Sequence, residues 1–151
     1  MSMDRIAVVA ALEAALMAAM DEARAAMDEL SFSLGKETKS TAGDKHETGR
    51  AMVQREMEQA GDRLARCEAM QTVVSRLELD RPRMSVGPGA IVASGDAKLL
   101  IGVGLGPFDV PGLGRFQAIS THAPIAEALA GGKAGECREF RGRSWVIESV
   151  D

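Results

Sequence analysis

Two patterns divide the chain. Up to about residue 77, apolar residues recur at alternating spacings of three and four; beyond residue 84, short apolar runs are separated by glycine, proline and aspartate. The first pattern runs through Ile6, Val9, Leu16, Met20, Ala23, Met27 and Leu30, broken only at Glu13. Such spacing keeps apolar side chains on one stripe of a helix and predicts a coiled-coil seam. Residues 4 to about 38 hold no proline and only Gly35, and Ala, Leu, Met, Glu and Arg fill the middle. All five are good helix formers. Asp4 suits the positive end of the helix dipole.

A second helix is predicted from Asp44 to Leu77, with its seam at Val53, Met57, Ala60, Leu64, Cys67 and Val74, broken at Gln71. Folded antiparallel, the seams pair Leu30 with Val53, Met27 with Met57, Ala23 with Ala60, Met20 with Leu64, Leu16 with Cys67 and Val9 with Val74. Ile6 then meets Leu77, and the two breaks, Glu13 and Gln71, fall opposite each other. A polar pair in one layer can fix register at some cost in stability; the alternative is that each points outward. The turn falls near Ala42. Each arm has about 35 residues, roughly 50 Å at the helical rise.

Asp80-Arg81-Pro82-Arg83 ends the second helix, because proline cannot continue the hydrogen-bond ladder. Strands are predicted at Ala90–Ser94, Lys98–Gly104, Arg115–Ser120, Cys137–Phe140 and Ser144–Val150. Gly102–Gly114, with Pro107 and Pro111, reads as a loop. Pro124–Ala130 reads as a short helix opened by proline and stopped by Gly131-Gly132. Arg141-Gly142-Arg143 fits a tight turn between the last two strands. Trp145 is expected in the core, unless exposure marks a partner surface. The predicted class is α+β: a helical hairpin at 1–80 with its tip near 41–50, a linker at 81–89 and a small sheet domain at 90–151.

Composition narrows the function classes. Aromatic residues are 3% of 151, and the net charge is −4 with both signs interspersed. No strongly basic face results, which argues against autonomous, sequence-specific DNA binding. Cys67 and Cys137 are far apart and expected as free thiols. No apolar run approaches the roughly 20 residues of a membrane span, and no signal peptide is evident. A cytoplasmic protein is expected.

Candidate chemistry gathers at the predicted tip. Thr41 and Asp44 have capping-box spacing, so Asp44 could simply start the second helix. Glu47 lies one turn further on the same face. Together they could offer carboxylate oxygens to Mg²⁺, but two side chains leave that ion mostly water. The site would work only where a partner supplies further ligands. Lys36, Lys39, Lys45, His46 and Arg50 surround the acids and suit a place crowded with phosphates. Nearby Zn²⁺-type pairs of Cys and His are absent.

Gly43-Asp44-Lys45-His46-Glu47 between two long helices resembles the Gly-Asp-x-x-Glu tip of the bacterial Gre transcript-cleavage factors. Ser120-Thr121-His122-Ala123-Pro124-Ile125, then Leu129-Ala130-Gly131, is similar to that family's C-terminal Ser-x-x-Ser-Pro-Ile-x-x-x-Leu-x-Gly. The resemblance spans nearly the whole chain. The chain departs from it in two places: Thr48-Gly49-Arg50-Ala51 stands where the family commonly has Asn-Ala-Glu-Tyr, and Ala123 replaces a serine. The resemblance implies an FKBP-like C-terminal domain that docks on RNA polymerase, and a coiled coil that enters its secondary channel. Asp44 and Glu47 would share a Mg²⁺ with the polymerase and promote cleavage of backtracked RNA, acting on the RNA 3′ end only indirectly. Lys45, Arg50, Ala123, Pro124 and Ile125 would contact the polymerase. The protein would not be an enzyme alone, and a monomer is expected. Three alternatives stand beside this: a channel-occupying modulator without cleavage, a prolyl isomerase or thiol enzyme, and a dimerising coiled coil.

Overall fold

The computed structural model describes residues 4–37 and 43–151, with only the backbone described at 36–37 and 43–47. Two long helices come first, α1 at Arg5–Glu37 and α2 at Gly43–Arg76. Strands β1 (Ile91–Ser94), β2 (Ala97–Gly102), β3 (Gly106–Val110) and β4 (Gly114–Ser120) follow. Then come α3 (Pro124–Leu129), β5 (Cys137–Phe140), β6 (Arg143–Val146) and β7 (Ser149–Val150). The class is α+β, and the two helices form an antiparallel hairpin. The predicted turn near Ala42, with Lys39 and Thr41, lies outside the described residues.

The chain divides into two compact units. One is Leu16–Ala69; the other joins Met1–Ala15 to Met70–Asp151.

In the unit Leu16–Ala69, the buried side chains are Leu16, Met20, Ala23, Ala60 and Cys67. Met27, Leu30, Val53, Met57 and Leu64 are half-buried. These positions are the ones the seam predicts. Across the helix pair, a Cβ at Gly61 would lie in ordinary van der Waals contact, 3.9 Å, with Cε of Met27.

The other unit is built on a five-stranded sheet in the order β3-β4-β2-β1-β7. All neighbours are antiparallel except β2 and β4. Alternation along β1 and β2 sends side chains to opposite faces. On one face Ile91, Leu100, Phe108, Phe116 and Ala118 pack with Val8 and Leu12 of α1, and with Met70 and Val74 of α2. On the other, Val92, Leu99 and Ile101 pack with Ala126 and Leu129 of α3 and with Ile147.

The first turns of α1 correct the predicted seam. Ile6 is 84% exposed, while Val8 and Leu12 are fully buried. Here α1 covers a sheet as well as a helix, so its apolar stripe shifts to face both. Glu13 and Gln71 are both exposed, the outward reading. Met70, not Gln71, faces inward on α2.

Gly102–Gly114 is not a loop throughout, because β3 lies inside it. Phe108 and Val110 are buried while Pro107 and Asp109 are exposed, the period of a half-buried strand. Its place at the sheet edge explains why Pro107 is tolerated. Phe108 stands opposite Phe116, with ring centroids 5.8 Å apart. Predicted strand Ser144–Val150 is also split. Buried Ile147 interrupts it, and β6 pairs with β5 whereas β7 pairs with β1.

Two arginines tie down the segment after α2. Arg5, 8% exposed, donates to the carbonyls of Arg81 (3.2 Å), Asp151 (3.3 Å) and Gly89. Burial pushes its guanidinium below the usual arginine range, against the opposing pull of Asp151. Arg83 donates to the carbonyls of Pro88 (3.1 Å), Glu78 (3.2 Å), Arg81 and Leu77. Each carbonyl is thereby paired without a regular element around it. Val86 completes the join: its N–H meets Gly132 O at 2.8 Å, and Gly131 N–H meets its carbonyl at 2.8 Å.

Candidate functional site

The candidate residues fall in two places, described separately. Lys45, Asp44, Glu47 and Arg50 belong to the unit Leu16–Ala69; Ala123, Pro124 and Ile125 belong to the sheet unit.

Helix α2 begins at Gly43, so Asp44 and Glu47 both occupy its first turns. A separation of three in a helix puts both positions on one side, at the positive end of the dipole. The side chains of Asp44, Lys45, His46 and Glu47 lie outside the described residues, as does that of Lys36. Beyond them, Thr48 and Arg50 are exposed and Gly49 is half-buried. The helix runs through Gly49 without interruption. In the same unit, Phe32 on α1 and Met52 on α2 are 67% and 58% exposed. Among the described residues, no group of three or more His, Cys, Asp or Glu side chains could hold a metal ion. Two carboxylates are by themselves too few to enclose a hard divalent cation.

The segment Ser120–Leu129 is built by local bonding. Ser120 Oγ accepts from His122 N–H at 3.1 Å, and Ser120 O accepts from Ala123 N–H at 3.0 Å. This turn presents Ala123 as the cap of α3, with Pro124 in the first turn. Proline fits there because its missing N–H would be unpaired anyway. Pro124 is exposed. Ala123 and Ile125 are half-buried and pack against the second core cluster. The motif therefore has a folding role as well as an exposed rim.

Cys67 is buried on α2 and Cys137 is exposed on β5; both are free thiols. Cys137 Sγ lies 3.0 Å from Ser144 Oγ across the β5–β6 pair. Its neighbour is a hydroxyl, not the imidazole that would activate a thiol.

One group of residues escaped the sequence pattern. Ser94–Ala97, the turn joining β1 to β2, lines a groove with β6 and Glu148. Trp145 is half-buried there, between its expected core role and a surface one. The turn Arg141-Gly142 matches expectation: both residues have positive φ, at 51° and 74°, as the mirror-image hairpin turn requires. The only available signal for the groove was Trp145 beside that turn.

Comparison of the chain with protein-family models, with curated proteins and with solved structures gave no match. Among the described residues, no helix is long and apolar enough to cross a membrane.

Proposed function

We propose that this protein is a Gre-type regulator of transcription elongation, acting in the cytoplasm on RNA polymerase. The observation that carries the reading is Gly43-Asp44-Lys45-His46-Glu47 at the start of a 34-residue helix, directly after a helix of 33 residues. Helices of that length exceed the roughly 11–12 residues typical of a globular domain. Their apolar stripe pairs them as an antiparallel hairpin, which supports a reaching element.

In this reading the sheet unit, FKBP-like by resemblance, docks on the polymerase through the exposed rim around Ala123, Pro124 and Ile125. The hairpin enters the secondary channel. Asp44 and Glu47 bring two carboxylates to a Mg²⁺ that the polymerase also holds. Such an ion orients and acidifies a water for attack on a phosphodiester. Lys45 and Arg50 offset the phosphate charge around the RNA 3′ end. The chain supplies carboxylates and position; the nuclease activity belongs to the polymerase.

A second reading keeps the binding without the cleavage. Thr48-Gly49-Arg50-Ala51 favours it, because the Gre-type tyrosine is missing and Arg50 is a cation where the family has an acid. Purified polymerase stalled on backtracked RNA separates the two. The first reading expects RNA cleavage faster than the polymerase alone achieves. Blocked elongation without cleavage replaces it with the second, and failure to co-purify with core polymerase removes both.

A further inference from the structure

The groove between the β1–β2 turn and β6 has a volume of about 500 Å³. All four residues of β6 line it, and none of β5 does. It therefore follows the side of β6 that faces away from β5. Since β5 and β6 form a two-stranded sheet of their own, no strand among the described residues covers that edge. An uncovered edge presents backbone N–H and C=O groups ready to pair with another chain, and β6 carries no proline to block it.

Three side chains lining the groove have unused polar capacity. Ser94 is 8% exposed, and its hydroxyl has no hydrogen-bond partner among the described residues. Buried hydroxyls are ordinarily paired, so this one is available to a group that enters the groove. Arg143 lies with its guanidinium carbon 5.4 Å from the Trp145 ring centroid, and forms no ion pair among the described residues. Asp96 is exposed on the facing turn and also forms none. Glu148 has a different task. Its Oε1 accepts from Gly95 N–H at 3.0 Å and holds the turn in place. Trp145 packs against the second core cluster, which makes it a fixed aromatic wall, and Val146 is 49% exposed beside it.

The lining thus offers a bare strand edge, a cation, an anion and an apolar wall. A nucleic-acid strand is disfavoured, because Asp96 and Glu148 would face its phosphates. The volume is within the range of sites that hold small ligands, or a few side chains of a larger one. We propose that the groove takes an extended peptide added as a strand along β6. An acidic side chain of that peptide pairs with Arg143, an aliphatic one two residues away on the same face packs on Trp145, and a basic one pairs with Asp96. Charges of both signs are matched, and the backbone groups of β6 gain partners. None of these residues belongs to the helix tip or to Ser120–Ile125, so the proposal does not rest on the polymerase reading.

Titration of the ¹⁵N-labelled full chain with peptides acetyl-Ser-Lys-Thr-X-Thr-Glu-Ser-amide, where X is Val, Ile or Leu, tests it by amide chemical shifts. The expected result is a saturable shift confined to residues 94–97 and 143–148. Arg143→Glu, at an exposed position, lowers affinity about tenfold, and a peptide with Lys in place of Glu recovers binding to that variant. N-methylation of alternate peptide amides abolishes binding. No saturable shift with any of these peptides overturns the proposal. So does undiminished binding of the N-methylated form, or a thymidine decanucleotide shifting these amides where the peptides do not.

Discussion

The two compact units bury different kinds of side chain. In Leu16–Ala69 the buried positions are Leu16, Met20, Ala23, Ala60 and Cys67, a single stripe between two helices. In the sheet unit, Phe116, Ile91, Leu100, Ile101, Leu129 and Ile147 are all less than 2% exposed, on two faces of one sheet. A one-layer contact of small and flexible residues removes little area from water; two layers of branched and aromatic residues remove much more. The helical unit should therefore open at lower free energy than the sheet. That suits the proposed role: the sheet unit holds position while the hairpin only has to persist long enough to enter a cavity.

Substitutions sharpen this contrast, beginning with the largest effect. Phe116→Ala empties a site lined by Phe108 and covered by Lys98, whose Nζ lies 5.4 Å from the ring centroid. It should cost about 3–5 kcal/mol of global stability, read from urea unfolding followed at Trp145. Met20→Ala should cost less, about 2 kcal/mol, and act locally. Amide exchange should quicken in 16–37 and 43–69 while β2 and β4 stay protected. Equal loss of protection in both units would dissolve the distinction.

The smallest expected effect comes from the surface of the sheet. Arg115 Nε donates to Asp109 Oδ1 at 2.9 Å, and its Nη2 to Oδ2 at 3.2 Å. This hydrogen bonding, with the charge behind it, holds the Asp109 carboxyl below its usual range. A lowered folded-state pKa stabilises the protein above the ordinary carboxylate pKa, and that gain fades as pH falls through the lowered value. Both partners are exposed, so Asp109→Asn should shift the urea midpoint only slightly at neutral pH, and not at all once both forms are neutral in acid.

The contrast also explains what could be read in advance. From Leu16 to Leu30 and from Val53 to Cys67 the buried residues form one stripe on each helix, so spacing alone located them. Near Ile6 and Gln71 the helices also meet the sheet. A seam drawn for one partner therefore misplaced Ile6, and missed Val8, Leu12 and Met70. Glycines and Pro107 hid β3, because turn chemistry and edge-strand chemistry use the same residues. Buried Ile147, where the chain leaves one sheet for the other, was indistinguishable from strand interior. At the site, spacing marked Asp44 and Glu47. The groove at β6 was illegible because it joins residues about fifty positions apart that carry no shared motif.

The central claim is that Asp44 and Glu47 act together inside the polymerase. Single-turnover cleavage of backtracked RNA with the Asp44→Ala/Glu47→Ala double variant tests it most directly, with co-purification on core polymerase measured in parallel. Unchanged polymerase binding with cleavage reduced to the polymerase's own rate is the predicted result. Full stimulation by the double variant would contradict the account.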